Sequence, residues 1–305
     1  MAVTFQEKLR TRRFVITAEV TPPVSVEPGE LLAKALPLKG LADAINVTDG
    51  AGARPHLGAV TAATILVEQG IEPILQLTCR DRNRIALQSD LLSAAASRIR
   101  NLLMLRGDDP SAGDQPDAMP VFDLDPRSLL ETARRLRDSG ELPTGRKVGG
   151  RVDFFLGSAD NPVDPQPGWR PTGLQAKIAA GAQFVQTQFC MDAGVARRYM
   201  ARLAETGVTD RLSVLIGIVP FRSAKSARWI KEKLFGSVIP DAHIQRMERA
   251  SDPLVEGRRI CIEMVSELAD MAHVSGVHIM APGNEVSVPE VIKAARESIK
   301  RLAPA

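Results

Sequence analysis

Eight short runs of β-branched and aliphatic residues alternate with longer amphipathic segments along this chain of 305 residues. No other feature constrains the fold as strongly. Strand-like patterning predicts β-strands over Phe14–Val20, Ala44–Thr48, Pro73–Thr78, Asn101–Arg106, Val152–Gly157, Phe184–Gln188, Leu212–Ile218 and Gly276–Met280. Helical spacing marks Leu57–Gln69, Arg84–Arg98, Ser128–Asp138, Val195–Glu205 and Leu254–Met271. A last helix over Pro289–Leu302 closes the chain, with Ser287 placed to cap it. Strands that alternate with helices build parallel sheets, and eight such units are the count of a closed barrel. An open, doubly wound sheet would need a Gly-rich phosphate turn after its first strand, where this chain has Thr21-Pro22-Pro23. The prediction is an α/β protein, a single (β/α)8 barrel over residues 1–305.

Composition narrows the function classes. The net charge is only +3 and the 39 basic residues are scattered, so no nucleic-acid partner is expected. Arg10 to Arg13 reads as a solvated helix end. No apolar run approaches the ~18 residues of a membrane span, and Met1 to Arg10 lack the apolar core of a signal peptide. Cys79, Cys190 and Cys261 match no metal spacing, and the first two adjoin apolar runs. They read as free, buried thiols of a cytoplasmic protein.

A parallel barrel brings the carboxyl ends of all its strands to one rim, where ligands bind. Polar residues predicted there are Glu19, Thr48, Asp49, Gln76, Thr78, Arg106, Asp108, Asn161, Gln186, Gln188 and Asn284. The run Leu103-Met104-Leu105 breaks abruptly into Arg106-Gly107-Asp108-Asp109, although an Asp after Gly also suits a plain turn. Glu19 is the odd residue of an apolar strand. Burial favours the protonated form of a carboxyl, which suits a general acid, while an internal Arg or Lys would satisfy it structurally. Asp108, Asp109, Asp114 and Asp117 lack the alternating spacing of a calcium loop, so no metal is expected. His56, His243, His273 and His278 read as structural, and no Gly-x-Ser-x-Gly elbow is present. Two long segments, Ser158 to Pro171 and Pro220 to Arg258, the latter with an extra helical stretch, are expected on the ligand face.

Seven short segments, in order, carry a resemblance. They are Ala18-Glu19-Val20-Thr21-Pro22-Pro23, Asn46-Val47-Thr48-Asp49-Gly50, Leu77-Thr78-Cys79, Leu105-Arg106-Gly107-Asp108, Lys177 with Ala180-Gly181-Ala182, Gln186-Thr187-Gln188-Phe189, and Gly217-Ile218-Val219-Pro220. With them the chain resembles the bacterial methylenetetrahydrofolate reductases, flavin-containing barrels, over nearly its whole length. The resemblance implies transfer of hydride from NADH or NADPH through bound FAD, or less readily FMN, to 5,10-methylenetetrahydrofolate. It implies Glu19 as the general acid that opens the folate ring. Asp108 would tune the flavin and stabilise the cationic substrate, and Gln188 would bind folate. Thr48, Gln76, Arg106, Gly107, Asp108, Asn161, Lys177 and Ala182 would line the flavin.

Where family members carry His before the Thr-Cys pair, and Tyr and His-Pro after the fifth strand, this chain has Gln76, Gly157 and Asn161-Pro162. Ala224 replaces an aromatic four residues after Pro220, and Phe221 is expected to reach the same stacking space against substrate. These differences fall on flavin and nicotinamide contacts. They leave open a flavin-free, NADH-dependent folate reductase, and a folate-binding barrel that docks a redox or methyltransferase subunit. The Asp-rich loop alone suggests a metal-dependent hydrolase. The choice of nucleotide and a homo-oligomeric state are not fixed by the sequence.

Overall fold

The eight predicted strands all form and close on themselves in a computed structural model that describes residues 3–302. Met1, Ala2 and residues 303–305 of the predicted 1–305 barrel lie outside the described residues. The strands are β1 Val15–Val20, β2 Ala44–Val47, β3 Pro73–Thr78, β4 Asn101–Leu105, β5 Phe155–Asp160, β6 Phe184–Phe189, β7 Ser213–Ile218 and β8 Val274–Ile279. Each pairs in parallel with its sequence neighbours, and β8 returns to β1 through Val15↔Gly276 to Ala18↔Ile279, so the sheet is a closed barrel. Closure removes exposed strand edges, and the near-unbroken apolar runs follow from burial of both faces.

Among the described residues, eleven helices wrap the barrel or cap its ends: α1 Phe5–Arg10, α2 Pro28–Ala35, α3 Ala59–Glu68, α4 Arg84–Ala96, α5 Pro126–Ser139, α6 Thr172–Ala180, α7 Ala193–Glu205, α8 Ala224–Lys233, α9 Asp241–Arg249, α10 Pro253–Ala269 and α11 Val288–Leu302. Asn83, Asp125, Asp192 and Asp252 cap their helices through side-chain oxygens, each such cap contributing about 1 kcal/mol. Among the described residues, no helix is long and apolar enough to cross a membrane.

Three local predictions are corrected. β5 lies three residues further on than Val152–Gly157, because the ladder starts at Asn101↔Phe155 and pairing with β6 carries the weak strand formers Ser158, Ala159 and Asp160. Ser287 closes a 3-10 turn, its hydroxyl donating to the Asn284 carbonyl, and the turn runs straight into α11. The long segment after β7 holds two extra helices, α8 and α9, ahead of α10.

The amino end of the barrel is plugged by aromatics. Phe5 of α1 is fully buried, with ring centroids 5.9 Å from Phe155 and 5.4 Å from Phe184. Gly157 belongs to this plug, since a Cβ there would lie 2.2 Å from the Phe184 ring. The missing side chain at Gly157 is thus required by packing at the closed end. The carboxyl end stays open.

Candidate active site

At the open end the strand termini enclose a cavity of about 530 Å³. Its lining includes Glu19, Thr48, Gln76, Arg106, Gly107, Asp108, Asn161 and Gln188, with Phe235, His278 and Met280 beside them. Residues far apart in the chain meet here because every strand delivers its last inward-facing side chain to the same rim. Three sequence-predicted residues, Lys177, Ala182 and Phe221, do not line the cavity.

Glu19 occupies the last inward-facing position of β1, and its side chain keeps 22% of its surface accessible. Its desolvation is therefore only partial, because the residue lies at the mouth rather than deep in the barrel. The internal Arg or Lys that might have satisfied it is not what the structure shows. Its Oε2 accepts from Gln76 Nε2 at 3.0 Å and lies 3.6 Å from His278 Nε2. One layer below, Thr17, Asn46 and Gln186 form a buried, hydrogen-bonded group. Gln186, expected on the rim, belongs to this layer and also lines the floor of the cavity.

Across the mouth, Asp108 is exposed and its Oδ2 accepts the Gly52 backbone N–H at 2.9 Å. The contact ties the loop after β4 to the loop after β2. Gly107 has φ +92°, and a Cβ there would meet Arg80 Cβ at 2.9 Å. Glycine is thus demanded both by conformation and by space. The Arg106 guanidinium stacks over Phe122, 4.2 Å from the ring centroid, and forms no salt bridge among the described residues. The Thr48 hydroxyl is buried without a hydrogen-bond partner. Gln188 Oε1 accepts the Phe189 N–H at 3.0 Å, which turns its amide donors to the cavity.

Several rim residues serve the scaffold. Asp49 accepts the Thr78 N–H at 2.8 Å, the Thr78 hydroxyl at 2.9 Å, and Arg82. Arg80, only 4% exposed, donates to the Gly50 carbonyl at 3.1 Å and the Asp108 carbonyl at 3.3 Å while paired with Asp81. Sequence reasoning missed Arg80 and Arg82; the signal was a charged cluster, Arg80-Asp81-Arg82, directly after the third predicted strand. Asp109 accepts from Ser111, whose hydroxyl and amide hold its carboxyl below the usual range. Among the described residues, no group of three or more His, Cys, Asp or Glu is arranged to hold a metal ion.

Lys177 lies behind the rim, where its Nζ donates to the Ala159 carbonyl at 2.6 Å and pairs with Asp160. Ala182 precedes β6, toward the closed end. Phe221 is fully buried, its carbonyl oxygen 1.8 Å from where a Cβ on Gly257 would stand. It does not reach the stacking space. An aromatic that does reach the cavity, unmarked in the sequence, is Phe235, which is 88% exposed. The segment carrying it adds a short parallel bridge to β6, Cys190↔Val238, and Gly236 presses against Asn161.

A parallel barrel whose open mouth gathers a carboxyl, a guanidinium without a salt bridge, free amides and an exposed aromatic defines a ligand-binding (β/α)8 barrel. The family model "Methylenetetrahydrofolate reductase" matches residues 4–296, and the chain belongs to that family. The chain is 29% identical over 240 residues to a probable methylenetetrahydrofolate reductase (NADPH) of Caenorhabditis elegans, a match covering 76% of this chain and 33% of that protein. It is 30% identical over 187 residues to 5,10-methylenetetrahydrofolate reductase of Pectobacterium carotovorum subsp. carotovorum, covering 59% of this chain and 55% of the relative. The chain thus spans between a third and about half of the length of these relatives. In fold it is similar to a Clostridium thermocellum protein that binds two copies of 5-methyl-5,6,7,8-tetrahydrofolic acid, with TM-score 0.68, 14% identity, and coverage of 98% and 99% of the two chains. An F420-dependent secondary alcohol dehydrogenase shares the fold at TM-score 0.59 and 10% identity, over 94% of this chain and 99% of the other.

The donor set fits the ring end of a flavin. Thr48 offers a buried, unpartnered hydroxyl, Gln188 free amide donors, and Arg106 an unpaired charge. Lys177, implied for the phosphate end, is already neutralised by Asp160.

Proposed function

We propose that this protein reduces 5,10-methylenetetrahydrofolate to 5-methyltetrahydrofolate, with a nicotinamide nucleotide as electron donor. The observation that carries the reading is Glu19 of β1 and Asp108 of the loop after β4, two carboxylates facing one cavity within a chain of this family. Bound FAD would supply the hydride that reaches the folate. Thr48, Arg106 and the Gly107 backbone would hold its ring end, with Gln76 and Asn161 at the margin.

The chain's own residues carry the remaining work. Glu19 would give a proton to the folate nitrogen as the five-membered ring opens, leaving an electrophilic iminium carbon. The Asp108 carboxylate would stabilise that cation through space. Gln188 would direct its amide donors to the pterin. Three free cysteines with no disulfide are consistent with a cytoplasmic setting.

A second reading, direct hydride transfer from NADH without flavin, is favoured by one contact, the commitment of Lys177 to Asp160. The absorption spectrum of the purified protein, followed by single-turnover folate reduction, separates the two. A bound-flavin spectrum that bleaches with NAD(P)H and recovers with methylenetetrahydrofolate supports the first. Turnover in flavin-free protein selects the second, and no turnover with either rejects the reductase.

A further inference from the structure

Barrel interiors are usually filled by layers of branched aliphatic side chains. Here the layer beneath Glu19 is polar and almost completely dry, with Thr17 and Asn46 at 0% exposure and Gln186 and His278 at 2%. Buried polar groups of this kind persist only when each is satisfied, so the direction of every hydrogen bond is constrained.

Asn46 and Gln186 form a reciprocal amide pair. Asn46 Nδ2 donates to Gln186 Oε1 at 2.7 Å, and Gln186 Nε2 donates to Asn46 Oδ1 at 3.1 Å. The second Gln186 Nε2 hydrogen goes to Thr17 Oγ1 at 3.1 Å. Having accepted there, the Thr17 hydroxyl has one proton to place. His278 Nδ1 lies at 3.0 Å and the Val277 carbonyl at 3.3 Å, long for a hydroxyl donor. The proton goes to Nδ1. A neutral imidazole that accepts at Nδ1 carries its own hydrogen on Nε2. That Nε2–H faces Glu19 Oε2, 3.6 Å away.

We infer that the hydrogen-bond chain from Gln186 through Thr17 to His278 fixes the imidazole tautomer that turns Nε2–H toward Glu19 Oε2, the oxygen held by Gln76, so that Oε1 is the oxygen that delivers the proton to substrate. The delivery step rests on the general-acid reading of Glu19. Gln76 Nε2 donates to Oε2 at 3.0 Å, so the carboxyl's one protein hydrogen bond and the nearby imidazole N–H fall on the same oxygen. A carboxylic acid carries its proton on the oxygen that accepts least, which is Oε1. The other charged groups at the mouth do not compete for Glu19. Asp49 is tied to Thr78 and Arg82 and Asp108 accepts from Gly52, while Arg106 stacks on Phe122 and forms no salt bridge with Glu19 among the described residues. Thr17 and His278 touch no substrate in this scheme; they are positioning residues.

Nitrogen-15 NMR of imidazole-labelled protein reads the tautomer directly, and with only four histidines the signals are readily assigned. The expected wild-type result is an Nε2–H tautomer at His278. Thr17→Val keeps the side-chain shape and removes the proton supplied to Nδ1. It is expected to abolish that tautomer and to lower kcat for folate reduction about tenfold, with KM for folate within about twofold. Thr17→Ser, which restores a hydroxyl, should recover both signals. An Nδ1–H tautomer in the wild type overturns the chain before any activity is measured. A Thr17→Val protein with unchanged tautomer and kcat overturns it as well. Wild-type protein with the Nε2–H tautomer that never converts methylenetetrahydrofolate would overturn the reductase reading, and the Oε1 delivery with it.

Discussion

The Lys177 ammonium lies 3.0 Å from Asp160 Oδ1, and the opposite oxygen of that carboxylate accepts the Tyr199 hydroxyl at 2.5 Å. One carboxylate at the end of β5 thereby joins α6 to α7. Partly buried ion pairs of this kind are costly to break from one side. Lys177→Met is expected to lower stability by about 1–3 kcal/mol in urea unfolding of cofactor-free protein. An unchanged unfolding midpoint with weakened flavin binding would instead make Lys177 a cofactor ligand.

Alkaline stability follows from buried acids kept neutral. Burial pushes the Cys79 thiol up to about 11 and the Cys190 thiol up to about 12, from 9.0. Burial and the neighbouring Asp160 also raise Tyr199. These groups bind protons more tightly folded than unfolded. Their contribution is complete below pH 9 and is lost as pH rises through 11 and 12. The urea midpoint should therefore fall steadily above pH 9. At pH 8 a thiol reagent should label no cysteine in native protein and all three after unfolding.

Much of this architecture was legible in the sequence, and the gaps have physical causes. The barrel follows from periodicity, since strands buried on both faces read as apolar runs whatever their partners. The end of β5 was illegible because Ser158, Ala159 and Asp160 are strand only by virtue of pairing with β6, with β4 reaching no further than Ser158. Glu19 and Asp108 could be named at the rim, but their contacts could not. The polar layer of Thr17, Asn46, Gln186 and His278 looked like unrelated residues, because only barrel closure brings β1, β2, β6 and β8 together. Phe235 left no signal, as one aromatic beside a glycine in a long loop has many bland explanations.

Phe235 stands exposed over the cavity beside Gly236, which has φ +81° and where a Cβ would lie 2.5 Å from the Asn161 side chain. Aromatic stacking is worth about 0.5–1.5 kcal/mol beyond buried area. Phe235→Ala should raise KM for the folate roughly threefold to tenfold with little change in stability, and Phe235→Tyr should preserve it. Titration with 5-methyltetrahydrofolate measures the same loss as a Kd. Equal affinity in the alanine variant would leave the ring without a role in binding.

Asp108→Asn is a clean electrostatic test, because an asparagine carbonyl can still accept the Gly52 N–H while the charge is gone. The folate half-reaction should slow by about one to two orders of magnitude, and a bound flavin should become easier to reduce. Rapid-mixing kinetics and a redox titration check the two arms. An unchanged potential would contradict the electrostatic role.

The central claim is that Glu19 is the acid for folate and takes no part in accepting electrons from the nicotinamide. Glu19→Gln keeps a side chain of the same shape beside Gln76 and His278 but carries no transferable acid proton. The direct measurement is a pair of single-turnover half-reactions on this variant. The account predicts flavin reduction by NAD(P)H near the wild-type rate, with folate reduction lowered by about two to four orders of magnitude. Folate reduction at the wild-type rate, or an equal fall in both half-reactions, would contradict it.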